Sequence, residues 1–131
     1  MRYLLDSTLL IDHAIGRPGA VALVQRLFSE ANDLYACDVV LTEALSRGED
    51  DERDAIRALV LALEYVSTSP AAAEWAGDSR RRLRRTSPRK LGDAIIAGVA
   101  WALHATVVTR NPKDFEVQGV PVLAYEEVPT R

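Results

Sequence analysis

Thr106-Val107-Val108-Thr109-Arg110-Asn111-Pro112-Lys113-Asp114-Phe115 decides how this chain folds. Its first four residues are β-branched throughout, which suits a pleated, half-buried surface. Polar residues and a proline follow at once, so the strand ends on a rim and hands the chain to a turn. Ahead of it, Gly92 to His104 places Ile95, Ile96, Val99 and Leu103 at helical spacing, with several Ala for close packing.

Working outward, the same alternation of helix and short apolar strand recurs. Tyr3-Leu4-Leu5 is an apolar run that ends in Asp6, and Thr8 to Ala14 reads as a short helix closed by the turn Gly16-Arg17-Pro18-Gly19. From Ala20 a second helix carries Val21, Leu23, Val24, Leu27 and Phe28, and Asn32-Asp33 stops it. Leu34 to Cys37 is a second strand. Asp38 is expected to cap a helix from Val39 to about Ser46, with Gly48 just past its end. Asp51 to Glu64 is helical with Ile56, Leu59, Val60 and Leu63 on one face, and Tyr65-Val66 adds a short strand. Ser69-Pro70 supplies cap and first position of a helix reaching about Arg85, where Ser87-Pro88 breaks the chain. Val120-Pro121-Val122-Leu123 is a last strand, confined by Pro121 to an edge or an end. No repeat, low-complexity tail or linker divides the chain, so residues 1–131 read as a single α/β domain. Its central, mainly parallel sheet has helices on both faces.

The composition is that of a globular protein: 131 residues, 48% hydrophobic and 27% charged. Ala58 to Leu63 and Ala94 to Leu103 are too short to span a bilayer. Met1-Arg2-Tyr3-Leu4-Leu5-Asp6 meets a carboxylate too soon for a secretory signal, so a cytoplasmic protein is expected. The single cysteine, Cys37, cannot form an internal disulfide and reads as a buried, inert thiol. The net charge of -3 argues against a generally cationic nucleic-acid binder. Yet Arg80, Arg81, Arg82, Arg84, Arg85, Arg89 and Lys90 place seven of sixteen positive residues in one window. Such a window is either a solvated helix face or, beside a phosphate-handling site, a surface for RNA backbone or an acidic partner segment.

Four acids adjoin the ends of apolar elements: Asp6, Glu43, Asp93 and Asp114. In open parallel sheets ligands bind beyond the carboxyl ends of the strands, and Asp6 and Asp114 follow two strands onto one rim. Taken alone, Asp93 is a first-turn acid and Asp114 a turn former. Glu43 is harder to explain so, being the only charge in Val39-Val40-Leu41-Thr42-Glu43-Ala44-Leu45. Carboxylates crowded on one rim repel one another unless a cation neutralises them, which favours Mg²⁺ or Mn²⁺. His13 and His104 lack metal-ligand spacing and read as surface or boundary residues; Trp75 and Trp101 read as core packing.

Leu4-Leu5-Asp6-Ser7-Thr8, Leu41-Thr42-Glu43-Ala44-Leu45, Leu91-Gly92-Asp93-Ala94-Ile95-Ile96-Ala97 and the stretch from Val107 to Phe115 resemble the four acidic motifs of PIN-domain ribonucleases, specifically VapC-type toxins. The resemblance implies a three-layer α/β/α PIN-like fold with four to five short strands. It also implies a divalent-metal endoribonuclease, a homodimer, and neutralisation by a cognate VapB-type antitoxin. By position, Asp6, Glu43 and Asp93 become the principal metal-binding acids, with Asp114 the fourth, through water or at a second metal. Thr8 takes the small hydroxyl position after the first acid, and Thr109 and Asn111 orient the acids and the rim. Ser7-Thr8 inverts the family's more usual Thr-Ser order, with hydroxyls kept at both places. The implied chemistry is hydrolysis of structured RNA such as tRNA or ribosomal RNA by a metal-activated water, with no protein nucleophile. The alternative is a non-catalytic RNA- or partner-binding module on the same fold. A phosphatase using Asp6 as nucleophile ranks lower, because Thr8 stands where a second Asp would help.

Overall fold

The computed structural model describes residues 1–30 and 32–125, so the end of the expected 1–131 unit lies outside the described residues. Among the described residues five strands form one sheet: β1 (Arg2–Leu5), β2 (Asp33–Cys37), β3 (Glu64–Val66), β4 (Thr106–Thr109) and β5 (Val122–Ala124). Around it run α1 (Ser7–Ala14), α2 (Pro18–Ser29), α3 (Asp38–Leu45), α4 (Asp50–Leu61), α5 (Pro70–Leu83), α6 (Leu91–Leu103) and α7 (Lys113–Glu116). The spatial order is β3-β2-β1-β4-β5 and every pairing is parallel, giving three layers with helices over both sheet faces. Leu4, Leu5, Val107 and Val108 on the two innermost strands are fully buried, as strands covered on both faces require.

The expected elements are present, with local differences that have physical causes. Ser69 caps α5 by accepting the Ala72 N–H at 3.1 Å, with Pro70 in the first turn. Asp38 is not a cap: Cys37 holds that position and Asp38 is already helical. The Asp38 carboxylate instead accepts the Thr68 N–H at 3.1 Å and the Thr68 hydroxyl at 2.8 Å, tying the exit of β3 to the start of α3. Burial opposes its ionisation, but the bonds from Thr68 prevail and hold its carboxyl below the usual range. The helix expected over 51–64 stops at Leu61, and Glu64 already belongs to β3. Pro121 stands just outside β5, and its carbonyl accepts the Val107 N–H at 3.0 Å. The one-turn α7 was not expected at all. Trp101 departs from core packing: it is 47% exposed and stacks on the half-buried Trp75, with ring centroids 6.0 Å apart. No helix among the described residues is long and apolar enough to cross a membrane.

Helices α5 and α6 approach closely because Gly98 has no side chain. A Cβ there would run into the carbonyl oxygen of Ala72. Gly77, also in α5, faces open space. Urea denaturation is therefore expected to show Gly98→Ala losing about 1–3 kcal/mol through overpacking. Gly77→Ala should instead gain roughly 0.5–1 kcal/mol through helix propensity.

Candidate active site

Strands β1 and β4 are neighbours in space, but the chain visits β2 and β3 between them. Successive strands move away from β1 on one side and then, from β4, on the other. At such a reversal the connections leave the carboxyl ends of the two inner strands in opposite directions and open a crevice. Asp6 follows β1 directly and Thr109 closes β4, so both stand at its mouth.

The Asp6 carboxylate is only 4% exposed and needs partners there. Thr109 Oγ1 donates to Asp6 Oδ2 at 2.8 Å, and Thr8 Oγ1 donates to the same oxygen at 3.2 Å. Each hydroxyl is itself oriented by a backbone donor: the Arg110 N–H meets Thr8 Oγ1 at 3.2 Å, and the Asn111 N–H meets Thr109 Oγ1 at 3.0 Å. Thr8 and Thr109 thus both donate to the Asp6 carboxylate, whereas Asn111 acts through its backbone while its residue surface is exposed.

Glu43, on α3, receives a hydrogen bond from Ser7 Oγ at 3.2 Å. Its carboxylate lies over the start of α6 so closely that a Cβ on Gly92 would collide with Oε2. A side chain at that position would displace the Glu43 carboxylate. Asp93, in the first turn of α6, has its carboxyl pushed up to about 6, by burial first and then by Asp114, Asp6 and Glu43 in turn. Glu43 is also raised, by burial and then by Asp6. Asp6 is raised by burial despite its hydroxyl donors. Burial is the larger cause in all three, and neighbouring carboxylates add to it. Among the described residues, however, no three His, Cys, Asp or Glu side chains converge into a ready-made cation cage.

Asp114, on α7, pairs with Arg89 Nη1 at 3.1 Å, beside a cleft of about 550 Å³ lined by Ser87, Arg89, Lys113, Asp114, Glu116 and Val117. Arg80, Arg81 and Arg82 end α5, and with Arg84, Arg85 and Lys90 they are exposed; Arg89 is turned inward.

Two supporting groups escaped the sequence reading. Gln118 is 2% exposed, and its Nε2 donates to the carbonyls of Asp114 at 2.8 Å and Asp93 at 3.2 Å. Its Oε1 accepts from Ser79 Oγ at 2.8 Å, so one side chain fixes the backbones of two acids. Asp12, also 2% exposed, accepts Arg110 Nη1 on both oxygens at 3.1 Å and the Tyr125 hydroxyl at 2.8 Å. Asp12 carried the same signal as Glu43, a lone carboxylate in the apolar run Leu9-Leu10-Ile11. Gln118 gave no such signal, since it lies among residues of mixed polarity. Burial pushes the Cys37 thiol up to about 11, consistent with an inert side chain.

The PIN domain family model matches residues 3–119. The chain belongs to the PIN domain family. Ribonuclease VapC19 of Mycobacterium tuberculosis is 29% identical over 114 residues, covering 86% of this PIN domain chain and 90% of that protein. Among solved structures, a chain of VapBC2 from Rickettsia felis, bound to a DNA fragment from their promoter, matches at 20% identity with a TM-score of 0.83. That match covers 96% of this chain and 100% of the other. A toxin-antitoxin complex from Klebsiella pneumoniae matches at 26% identity with a TM-score of 0.75, over 96% and 99% of the two chains.

In this PIN domain the raised carboxyl of Asp93 has a thermodynamic consequence. The folded state keeps its proton longer than the unfolded chain, whose Asp ionises near pH 4. The stability it contributes is therefore present below about pH 4 and lost as pH rises through about 6. In chelator, Asp93→Asn is expected to have a higher urea midpoint than the wild type at pH 7, and the gap should close at pH 4. A gap independent of pH would contradict the raised carboxyl of Asp93.

Proposed function

We propose that the chain is a toxin endoribonuclease that hydrolyses RNA phosphodiester bonds with Mg²⁺ or Mn²⁺ bound among Asp6, Glu43, Asp93 and Asp114. The observation that carries this reading is how four acids are tied to the β1/β4 crevice of a PIN domain: Ser7, next to Asp6, bonds Glu43, the Glu43 carboxylate lies on Gly92 next to Asp93, and Gln118 links the Asp93 and Asp114 backbones. The donor set is all oxygen, which suits a hard divalent cation. Carboxyls raised by burial and by neighbouring carboxylates, as those of Asp6, Glu43 and Asp93 are, are ones a nearby cation would return to the ionised form. Asp6, Glu43 and Asp93 would be the principal ligands, with Asp114 the fourth acid. A bound ion of this kind polarises the phosphate and lowers the pKa of an attacking water.

The chain's own residues supply the rest. Thr8 and Thr109 fix the Asp6 carboxylate, Ser7 fixes that of Glu43, and Gln118 sets the spacing of Asp93 and Asp114. The exposed arginines Arg80 to Arg85, with Lys90 beside the third acid, suit RNA backbone or the acidic segment of an antitoxin. The ribonuclease relative and the toxin-antitoxin neighbours support the same class. In this proposal the protein is a cytoplasmic homodimer, its target is structured RNA such as tRNA or ribosomal RNA, and a cognate VapB-type antitoxin neutralises it.

Asp6→Asn and Asp93→Asn are each expected to lower Mg²⁺-dependent RNA cleavage by about a hundredfold or more, the scale on which loss of one preorganised electrostatic group acts. Both should relieve growth arrest on expression. Cleavage that persists in both variants, or in EDTA, would overturn the proposal.

A further inference from the structure

Trp75 and Trp101 are the two tryptophans of the chain, and the fold stacks one on the other across α5 and α6. The stack covers one face of Trp101, yet 47% of that residue remains open to solvent. On α5, Trp75, Asp78, Ser79 and Arg82 stand at helical spacing and line one cleft of about 260 Å³. Arg82 is exposed and, although Asp78 lies one turn before it, has no ion pair among the described residues. The cleft is joined to the acidic crevice through Ser79, whose hydroxyl donates to the Gln118 amide that holds the Asp93 and Asp114 carbonyls. Trp101 follows Asp93 by eight residues on α6, about 12 Å along the helix axis.

We infer that Trp101, backed by Trp75, is a stacking platform for an unpaired base of an RNA strand, and that Arg82 holds a phosphate beside that base. The inference rests on the reading of the chain as one that acts on RNA and extends it outside the acidic crevice. Every base has a face that stacks on an aromatic ring, and a base splayed out of a helix can offer it. A guanidinium meets the adjoining phosphate in a planar two-point contact. Asp78 carries only acceptors when ionised, so within the cleft it suits the amino edge of a base. A second copy of the chain is the competing occupant. A two-fold contact sets one surface against itself, and here it would bring Arg82 and the exposed Arg81 and Arg85 toward their own counterparts. A polyanion has the complementary charge.

The test is titration of the full chain, in EDTA, with a short single-stranded RNA, read by tryptophan emission, which arises from this pair alone. RNA is expected to quench the emission saturably, whereas inorganic polyphosphate, charged but without bases, should leave it unchanged. Trp101→Ala should weaken binding of a labelled strand, followed by anisotropy, by about tenfold, and Trp101→Phe, which keeps a ring, should restore it to within about threefold. Arg82→Gln should lower the slope of log affinity against log salt by about 0.7, the share of one phosphate contact. RNA that binds without quenching, or that binds Trp101→Ala as tightly as the wild type, would overturn the inference; Mg²⁺-dependent cleavage in the same sample would leave the proposed function standing. Emission that shifts with protein concentration alone, with Trp101→Ala sedimenting as a smaller species than the wild type, would give the platform to a second copy and also overturn it. Quenching by RNA with no cleavage in Mg²⁺ would support the platform and remove the nuclease reading. Thermal melting checks folding, and the wild-type and Arg82→Gln results decide the matter even if Trp101→Ala does not fold.

Discussion

The hydrogen bond from Thr109 to Asp6 joins the ends of two strands that the chain reaches a hundred residues apart, and the candidate site is arranged about that junction. A nearly buried carboxylate is a costly thing to place at the mouth of a parallel sheet. Its cost is met by a short relay in which backbone N–H groups orient two hydroxyls and the hydroxyls point at one oxygen. Once Asp6 is held there, the strand order brings Glu43, Asp93 and Asp114 within its field. There the carboxyls of Asp6, Glu43 and Asp93 are all raised, by burial first and by neighbouring carboxylates after it.

The surrounding structure reads as accommodation of this concentrated charge. Gly92 gives up a side chain so that Glu43 can lie over the first turn of α6. Gln118, fully buried and bonded at both ends of its amide, fixes the relative position of two acid-bearing helices. The buried Asp12 and Tyr125, with the exposed Arg110, form a second network, which anchors the loop after β4 whose backbone reaches Thr8. Local destabilisation at a site, compensated by well-satisfied polar groups around it, is the pattern expected where function rather than stability selects the residues.

Elements whose signal is local were legible in the sequence. The β-branched run of β4, the Ser69-Pro70 start of α5 and the apolar spacing of α6 each state their conformation within a few residues. The placement of the acids at strand and helix ends was legible too, because it follows from where those elements stop. Features that depend on distant partners were not. Asp38 satisfied the local rule for a cap, but Thr68, thirty residues on, offers its carboxylate stronger partners. Trp101 had apolar neighbours in sequence and a solvent-facing stack with Trp75 in space. The four residues of α7 look like a turn, and the inward face of Arg89 is indistinguishable in sequence from the outward faces beside it.

The central claim, that acids from four parts of the chain form one cation site, is tested most directly by locating a paramagnetic ion. With one equivalent of Mn²⁺ bound, the carboxyl carbon resonances of Asp6, Glu43 and Asp93 should broaden first and together. Those of the exposed acidic block Glu49 to Asp51 should stay sharp. Broadening centred on that block, with the crevice resonances unchanged, would contradict the account.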